Sequence, residues 1–265
     1  MPSQSKSKAQ RRSEAQQRAA EKRAAELRAK RTGYALRGGG VLVLVAVIVI
    51  IVLVVTGGSK TIPPSLKNPK VATVAIPSSM KTVPAPKEKA GPETVGLPAS
   101  SSAKLADLST VATGQTVDGI QCQDGEQTVT HVHTHLTIFV NGKQKIIPYG
   151  IGIPGFTAVQ TPEGPFVETG SCFYWLHTHA DDGIIHIESP STSLGFTLSQ
   201  FFAEWGQPLS STQVGPDRGV VTTFFNGKLY KGNPASLPLG DHYQIQLDVG
   251  TPIVAPYKVT SWGGL

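Results

Sequence analysis

The residues best suited to chemistry are histidines, and all seven lie between positions 131 and 242. Six of them fall in two short stretches, HVHTH and LHTHADDGIIH. These six candidate ligands are His131, His133, His135, His177, His179 and His186. Neutral imidazole is the commonest metal ligand, and sites of three or four histidines suit Zn²⁺ or Cu²⁺. The two stretches therefore predict a transition-metal site, with Cu²⁺ and Zn²⁺ not distinguished.

A thioether site for Cu⁺ is excluded, because Met1 and Met80 are the only methionines and both lie outside this region. His242 stands alone before a strand-like segment and is expected to be structural. Within HVHTH, His133 and His135 are favoured as ligands over His131, because they lie nearer the apolar part of the strand.

The first stretch reads as the start of a β-strand. Successive side chains of a strand point to opposite faces, so the three histidines of HVHTH share one face. Leu136, Ile138 and Val140 then point to the other face, which is expected to be the core side.

The second stretch predicts a β-hairpin, with SCFYWLHTH and IIHIES as strands and ADDG as the connection. A loop of two or of four residues pairs odd-numbered positions with even-numbered ones. Either register places His186 and Glu188 on the face of His177 and His179. If HVHTH lies beside this hairpin, all six imidazoles converge.

Two carboxylates, Asp181 and Glu188, are predicted to orient these rings from outside the ligand shell. Non-catalytic metal handling is the favoured function, because the histidines converge without a nucleophile arrangement nearby. The chain also has no GxSxG, HExxH or phosphate-loop motif that would name a substrate. A zinc or copper metalloenzyme with Glu188 or Asp181 as general acid or base is an alternative. A wall-associated structural or interaction domain with incidental histidines is another. Enzyme activity is therefore left undecided, and no protein partner is indicated.

Cys122 and Cys172 are the only cysteines, and a disulfide between them is expected if this part of the chain lies in an oxidising compartment. Such a bond would tie the segment before the histidine strand to the strand that carries His177.

The elements around these motifs predict a mainly β domain, namely a β-sandwich, a barrel or a grasp-like sheet with one packed helix. Asn141-Gly142 and Asn226-Gly227 predict two further hairpins, and HYQIQLDVG predicts the last clear strand. TLSQFFAEWGQP predicts one helix at about 197–205, with a capping box at its start and apolar residues at i, i+3, i+4 and i+7.

Composition divides the 265-residue chain into four parts. Residues 1–37 form a basic arm with 11 Lys and Arg against 3 Glu, and residues 38–58 are uncharged and mostly apolar. Residues 59–115 form a Pro-, Ser- and Lys-rich stalk, and residues 116–265 form the β-rich histidine-containing domain. That domain is acidic, which argues against nucleic-acid binding, because a nucleic-acid-binding domain needs its positive charge on the folded body.

Residues 38–58 are expected to form a single transmembrane helix. The uncharged stretch from Gly38 to Ser59 would span about 33 Å as a helix, against about 30 Å of hydrocarbon. The basic arm before it predicts a cytoplasmic N-terminus and an extracellular or periplasmic C-terminal domain at the cell membrane. The long arm and the lack of a small-x-small cleavage site before Lys60 favour an uncleaved anchor over a signal peptide.

The segments HVHTHLTIFVNGK, YWLHTHADDGIIHIESP and FTLSQFFAEWG together resemble a family of bacterial extracytoplasmic proteins with HxHxHLxIxVNG and LHTHxxxGxIHxExP signatures. The resemblance covers about residues 117–250 and leaves the anchor and stalk outside it. It implies an extracytoplasmic domain and supports the choice of histidines, but it implies no settled activity.

Overall fold

The structure is a computed structural model that describes residues 70–87, 102–108, 111–192, 195–260, 262 and 265. The predicted basic arm at 1–37 and the predicted transmembrane helix at 38–58 lie outside the described residues. Among the residues that are described, no helix combines the length and the apolar character needed to cross a bilayer.

The described residues form a mainly β structure with one α-helix. In chain order, the strands before the helix are β1 (Thr82–Val83), β2 (Cys122–Gln123), β3 (Thr130–Val140), β4 (Lys143–Lys145), β5 (Thr157–Thr161), β6 (Gly164–Thr169), β7 (Phe173–Tyr174), β8 (Leu176–His177) and β9 (Ile184–Ser189). The helix is α1 (Leu198–Glu204), and a 3₁₀ turn spans Pro234–Ser236. The strands after the helix are β10 (Leu209–Ser210), β11 (Gln213–Val214), β12 (Asp217–Arg218), β13 (Val221–Phe225), β14 (Lys228–Tyr230), β15 (Tyr243–Val249) and β16 (Ile253–Val254).

The largest sheet of the described residues has seven strands, in the order β14-β13-β15-β3-β9-β8, with β4 also paired to β3. The central strands β15 and β3 run parallel, and the other neighbours in this sheet are antiparallel. Strand β3 is long enough to pair with β9 along its first half and with β4 along its second half. The histidines of HVHTH therefore lie in the half that pairs with β9.

The two predicted Asn-Gly hairpins are confirmed. Val140 pairs with Lys143 across Asn141-Gly142, and both turn residues have positive φ, at 50° and 73°. Phe225 pairs with Lys228 across the second Asn-Gly turn in the same way. Two consecutive residues with positive φ are what a type I′ turn requires, which is why this dipeptide predicts hairpins well.

One face of the central sheet is apolar and forms the main core. Leu136, Ile138 and Val140 point to this face, as the alternation predicts, together with alternate residues of β9 and β15. The helix packs into the same core through Leu198, Phe201 and Phe202, and Trp205 directly after the helix packs there as well. The predicted capping box is seen in the bond from Thr197 N to Gln200 Oε1 at 2.9 Å.

The opposite face of the sheet is polar and carries the histidines. On this face, beside β15, the side chains of Gln244, Gln246 and Asp248 form hydrogen bonds with backbone groups of the C-terminal segment that starts at β16. Tyr257 and Val259 of this segment pack against Phe139 and Ile184. The C-terminal segment thus covers one part of the polar face and leaves the histidine-rich part to other elements.

Part of the predicted stalk contacts the domain. Strand β1 pairs in parallel with β16, Val74 bridges Leu229, and Leu105 is buried in the main core. These contacts arise because the stalk sequence includes isolated apolar residues with strand propensity among its prolines.

Candidate metal centre

The pairing of β3 with β9 sets the first half of the site. In this antiparallel register, His133 lies opposite His186 and His131 lies opposite Glu188. Side chains directly opposite each other on one face have Cβ atoms about 5 Å apart, so the rings must meet. His133 Nε2 lies 3.2 Å from His186 Nδ1, and His131 Nε2 lies 3.1 Å from Glu188 Oε1.

The second half of the site comes from the predicted hairpin. His177 pairs with His186 and Leu176 with Ile187, so odd positions pair with even ones as expected. The predicted single strand at 171–179 is broken at Trp175, because β7 pairs with β2 whereas β8 pairs with β9. His179 lies beyond β8 and is held by a bond from Val167 N to its backbone oxygen at 2.8 Å.

Two overlapping groups of donors result. The first, which we call the inner group, consists of His177, His179, His186 and Glu188, and its four ligand atoms all lie within 4.8 Å of one another. The second, the outer group, consists of His131, His133 and His186 and meets the same limit. His186 belongs to both groups and contacts the rings of the other four histidines at centroid distances of 4.6–6.3 Å.

The tautomers of the two inner histidines follow from their backbone partners. His177 Nδ1 lies 2.8 Å from Tyr174 O, and His179 Nδ1 lies 2.6 Å from Val167 O. A carbonyl oxygen only accepts hydrogen bonds, so both Nδ1 atoms must carry the proton. In the neutral rings both Nε2 atoms are then bare, yet they lie 3.1 Å apart. Two lone pairs facing each other at this distance repel unless a cation lies between or beside them.

Burial keeps the imidazoles neutral. His177 has no exposed surface, and His133 and His179 are also buried. Burial, with the neighbouring histidines adding to it, lowers the pKa of His177 to about 3 and that of His133 to about 4. The pKa of His179 is lowered, and that of His186 is lowered well below its usual value, again mainly by burial. Neutral imidazole is the form that binds a metal ion.

Glu188 lies at the junction of the two groups. Its Oε1 is 3.3 Å from His186 Nδ1 and 3.8 Å from His177 Nε2, whereas its buried Oε2 has no hydrogen-bond partner in the described part of the chain. Burial, followed by the charge of Glu126, raises the pKa of Glu188 to about 8. A buried carboxylate with an unsatisfied oxygen is stabilised by a cation, and Glu188 lies among the groups that could hold one.

Glu126 is a residue of the site that the sequence motifs did not indicate. Its Oε1 lies 3.4 Å from His179 Nε2, and its side chain is 40% exposed. The predicted disulfide between Cys122 and Cys172 is confirmed, with an S–S distance of 2.00 Å, and it holds the segment that leads to Glu126 beside β7. The position of Glu126, four residues after Cys122, is the signal that could have identified it.

Two of the predicted site residues lie elsewhere. His135 shares a face with His131 and His133, but its Nε2 lies 3.1 Å from Asp182 O, and it belongs to neither group. Asp181 also belongs to neither group. His242 lies outside both groups as well, with its Nδ1 3.0 Å from Asp241 Oδ1. Positions two residues apart in a strand are separated by about 6.6 Å, which is enough to carry His135 past the cluster.

Aromatic side chains close the inner group on one side. Phe166 of β6 stacks on the His179 ring at 5.1 Å with an interplanar angle of 12°, and Phe173 packs edge-on against His177 at 5.7 Å. A low-polarity wall strengthens electrostatic interactions within the site. The arrangement can hold one cation with three imidazole nitrogens and a carboxylate oxygen.

Comparisons of the chain with known protein families, with curated proteins and with solved structures find no match. The geometry of the site therefore carries the functional argument alone.

Proposed function

We propose that the protein binds one transition-metal ion, Zn²⁺ or Cu²⁺, in the inner group, and that its role is non-catalytic metal handling. Three imidazoles and one carboxylate are donors that both ions accept. Three of the four residues of the inner group are buried and the fourth, His186, has a side chain only 12% exposed, which suits retention of an ion more than turnover of a substrate.

The observation that carries this proposal is the pair of facing Nε2 atoms of His177 and His179, 3.1 Å apart. A proton between them would relieve the repulsion, but it would create a buried imidazolium, and the pKa of His177 is lowered to about 3. A metal ion relieves it without charging a ring. Ligands at bond lengths of 2.0–2.1 Å in a tetrahedral site lie about 3.3 Å apart. The spacings of 3.1, 3.3 and 3.8 Å within the inner group bracket that value.

Metal analysis of the full-length protein, purified in detergent, loaded with Zn²⁺ or Cu²⁺ and dialysed, tests this proposal. We expect about one equivalent of bound ion in the wild type. The double variant H177Q/H179Q should retain almost none. His242→Asn is the matched control, because it removes a histidine outside both groups and asparagine tolerates the positive φ of 55° at that position. Less than a tenth of an equivalent in the wild type would refute the proposal.

A metalloenzyme is the second candidate, and the position of Glu126 favours it. Its partly exposed carboxylate beside His179 is placed at the rim of the inner group, where a general base would act on a metal-bound water. If the protein is a hydrolase, Glu126→Gln should abolish hydrolysis of activated esters while leaving the bound metal in place. Equal rates for the metal-loaded and the metal-free protein would remove this candidate.

We also propose that residues 38–58 anchor the protein in the cell membrane, with the N-terminus in the cytoplasm and the domain outside. The Lys- and Arg-rich arm before the apolar segment supports this orientation, and the Cys122–Cys172 disulfide suits an oxidising compartment. Cell fractionation tests the proposal, since the full chain should sediment with membranes and a chain that lacks residues 1–60 should not. Recovery of the full chain in the soluble fraction would contradict it.

Of the three fold types considered, we infer a grasp-like sheet. The order β4-β3-β15-β13-β14 has a parallel central pair, β3 and β15, with an Asn-Gly hairpin on each side and the helix between the hairpins in sequence. The segment with β5 to β9 is then an insertion that supplies all four donors of the inner group.

A further inference from the structure

The inner and outer groups share His186, and its Nδ1 atom faces a member of each group. His186 Nδ1 lies 3.2 Å from His133 Nε2 in the outer group and 3.3 Å from Glu188 Oε1 in the inner group. One nitrogen lone pair forms one coordinate bond, so only one ion at a time can use it. An ion bound to His186 Nδ1 therefore occupies either the outer or the inner group, not both.

The two positions differ in their access to solvent. In the outer group the His131 side chain is 44% exposed. In the inner group, His177 and Glu188 are almost completely buried, with side-chain exposures of 0% and 2%. On the side of the outer group, an ion from solution therefore meets His131 before it can reach His177.

The donor atoms between these two positions are closely spaced. Glu188 Oε1 lies 3.1 Å from His131 Nε2, 3.3 Å from His186 Nδ1 and 3.8 Å from His177 Nε2. These separations are close to the distance of about 3.3 Å between neighbouring ligands of one tetrahedral ion. An ion can thus exchange one ligand for the next without passing through a position that lacks donors.

We propose that the outer group is a loading site, from which a single ion moves by ligand exchange into the inner group. This inference rests on the proposed metal-binding function and adds a route to it. During the transfer the ion keeps its bond to His186 Nδ1, loses its bonds to His131 and His133, and gains bonds to Glu188 Oε1 and the Nε2 atoms of His177 and His179. The oxidation state of the ion does not change, and any carboxyl proton on Glu188 leaves to solvent.

The route makes His131 important for the rate of loading but not for retention. Replacing His131 removes the exposed donor, whereas all four donors of the inner group remain. Because the His131 side chain is partly exposed, its replacement by glutamine leaves the core packing unchanged.

Stopped-flow mixing of the metal-free, full-length protein with Co²⁺, followed through the visible absorption of the bound ion, tests the route. We expect His131→Gln to slow loading by about tenfold or more and to leave the final ratio at one ion per chain. His242→Asn is the control for loss of a partly exposed histidine outside both groups, and it should load at the wild-type rate.

Three outcomes would overturn the route. If His131→Gln loaded at the wild-type rate, the ion would have to enter the site elsewhere, for example beside the exposed Glu126. A final ratio of two in the wild type would show two independent sites. Loss of bound Co²⁺ from His131→Gln at equilibrium would make His131 a holding ligand. Failure of the proposed function itself is distinct, because the wild type would then bind no ion at all.

Discussion

The hydrogen bonds of single ring nitrogens determine what the site can do. The Nδ1 atoms of His177 and His179 each donate to a backbone carbonyl, so both Nε2 atoms are available to one ion. Such partners fix the tautomer and the ring orientation of metal-ligating histidines. The sequence predicts which rings share a face, because the side-chain period of a strand is two, but the carbonyl partners come from positions that no local motif specifies.

The raised pKa of Glu188 predicts a proton released on metal binding. Its carboxyl has a pKa of about 8, so it is mostly protonated at pH 7 in the metal-free protein and must lose that proton to become a ligand. We expect release of nearly one proton per ion at pH 7 in the wild type. In Glu188→Gln the release should fall to near zero. Calorimetric titrations in buffers of different ionisation enthalpy measure this number, and equal release in the two proteins would contradict the assignment of Glu188 as a ligand.

The lowered pKa of His177 predicts how metal-free stability changes with pH. The unfolded chain takes up a proton on this ring below about pH 6.5, whereas the folded chain does so only near pH 3. As the pH falls between these values, His177 therefore reduces the free energy of unfolding by about 1.4 kcal/mol per pH unit. The difference between the wild type and His177→Gln should shift by this amount in favour of the variant.

Guanidinium chloride unfolding at pH 7, 6 and 5 in the presence of a chelator measures this shift. Using the difference between two proteins is necessary because buried carboxyls such as Asp248, whose pKa is raised to about 6 by burial, change the total stability in the opposite direction. A pH-independent difference would contradict a neutral, buried His177.

At the scale of the element, the turn at Gly183 positions the hairpin that supplies all four donors of the inner group. Gly183 has a φ of 84°, its oxygen accepts a bond from Leu136 N at 2.8 Å, and a Cβ there would lie 2.4 Å from Leu136 O. Gly183→Ala should therefore push the hairpin away from β3, destabilise the protein by about 1–3 kcal/mol and weaken metal binding.

Gly227→Ala is the matched control for this prediction. Gly227 also has a positive φ, of 75°, but a Cβ there meets nothing within 4 Å. This variant should show the conformational strain alone and keep its metal. Equal metal retention in the two variants would show that the contact between Gly183 and β3 does not set the site.

The disulfide is the second feature at this scale that positions residues of the site. Cys122 and Cys172 are 50 positions apart, and closing a loop of this length stabilises a protein by about 4 kcal/mol in the chain-entropy account. The double variant C122S/C172S should lose stability of this order in urea unfolding. Glu126 should also become less well placed beside His179. A loss below about 1 kcal/mol would mean that the β2–β7 pairing holds this segment without the bond.

The secondary-structure elements were largely predictable from the sequence, but the burial of the histidines by other segments was not. Asn-Gly dipeptides, the capping box before α1 and the odd-with-even register of the hairpin are local signals, and the structure confirms each of them. The alternation predicted that the histidines lie on the face opposite the core, but it did not indicate that His133 and His177 are buried. The residues that cover the cluster, such as Phe166 over the His179 ring, come from other segments of the chain without a recognisable period.

At the scale of the whole molecule, the two faces of one sheet have separate tasks. The apolar face packs against the helix and forms the main core. The polar face carries the histidine cluster and, at Gln246 and Asp248, the hydrogen bonds that hold the C-terminal segment. Because the core does not depend on the ligands, we expect the metal-free domain to stay folded. The proposed anchor at 38–58 adds a location for this activity, at the outer surface of the membrane, and stays a prediction.

X-ray absorption spectroscopy of the full-length protein loaded with one equivalent of Zn²⁺ or Cu²⁺ tests the central claim most directly. If the inner group binds the ion, the spectrum should show imidazole scattering from three histidines and one oxygen ligand, at bond lengths of about 2.0–2.1 Å for Zn²⁺. The imidazole signal should drop in H177Q/H179Q. An ion with a shell of oxygen ligands alone, or a spectrum unchanged in that variant, would contradict the account.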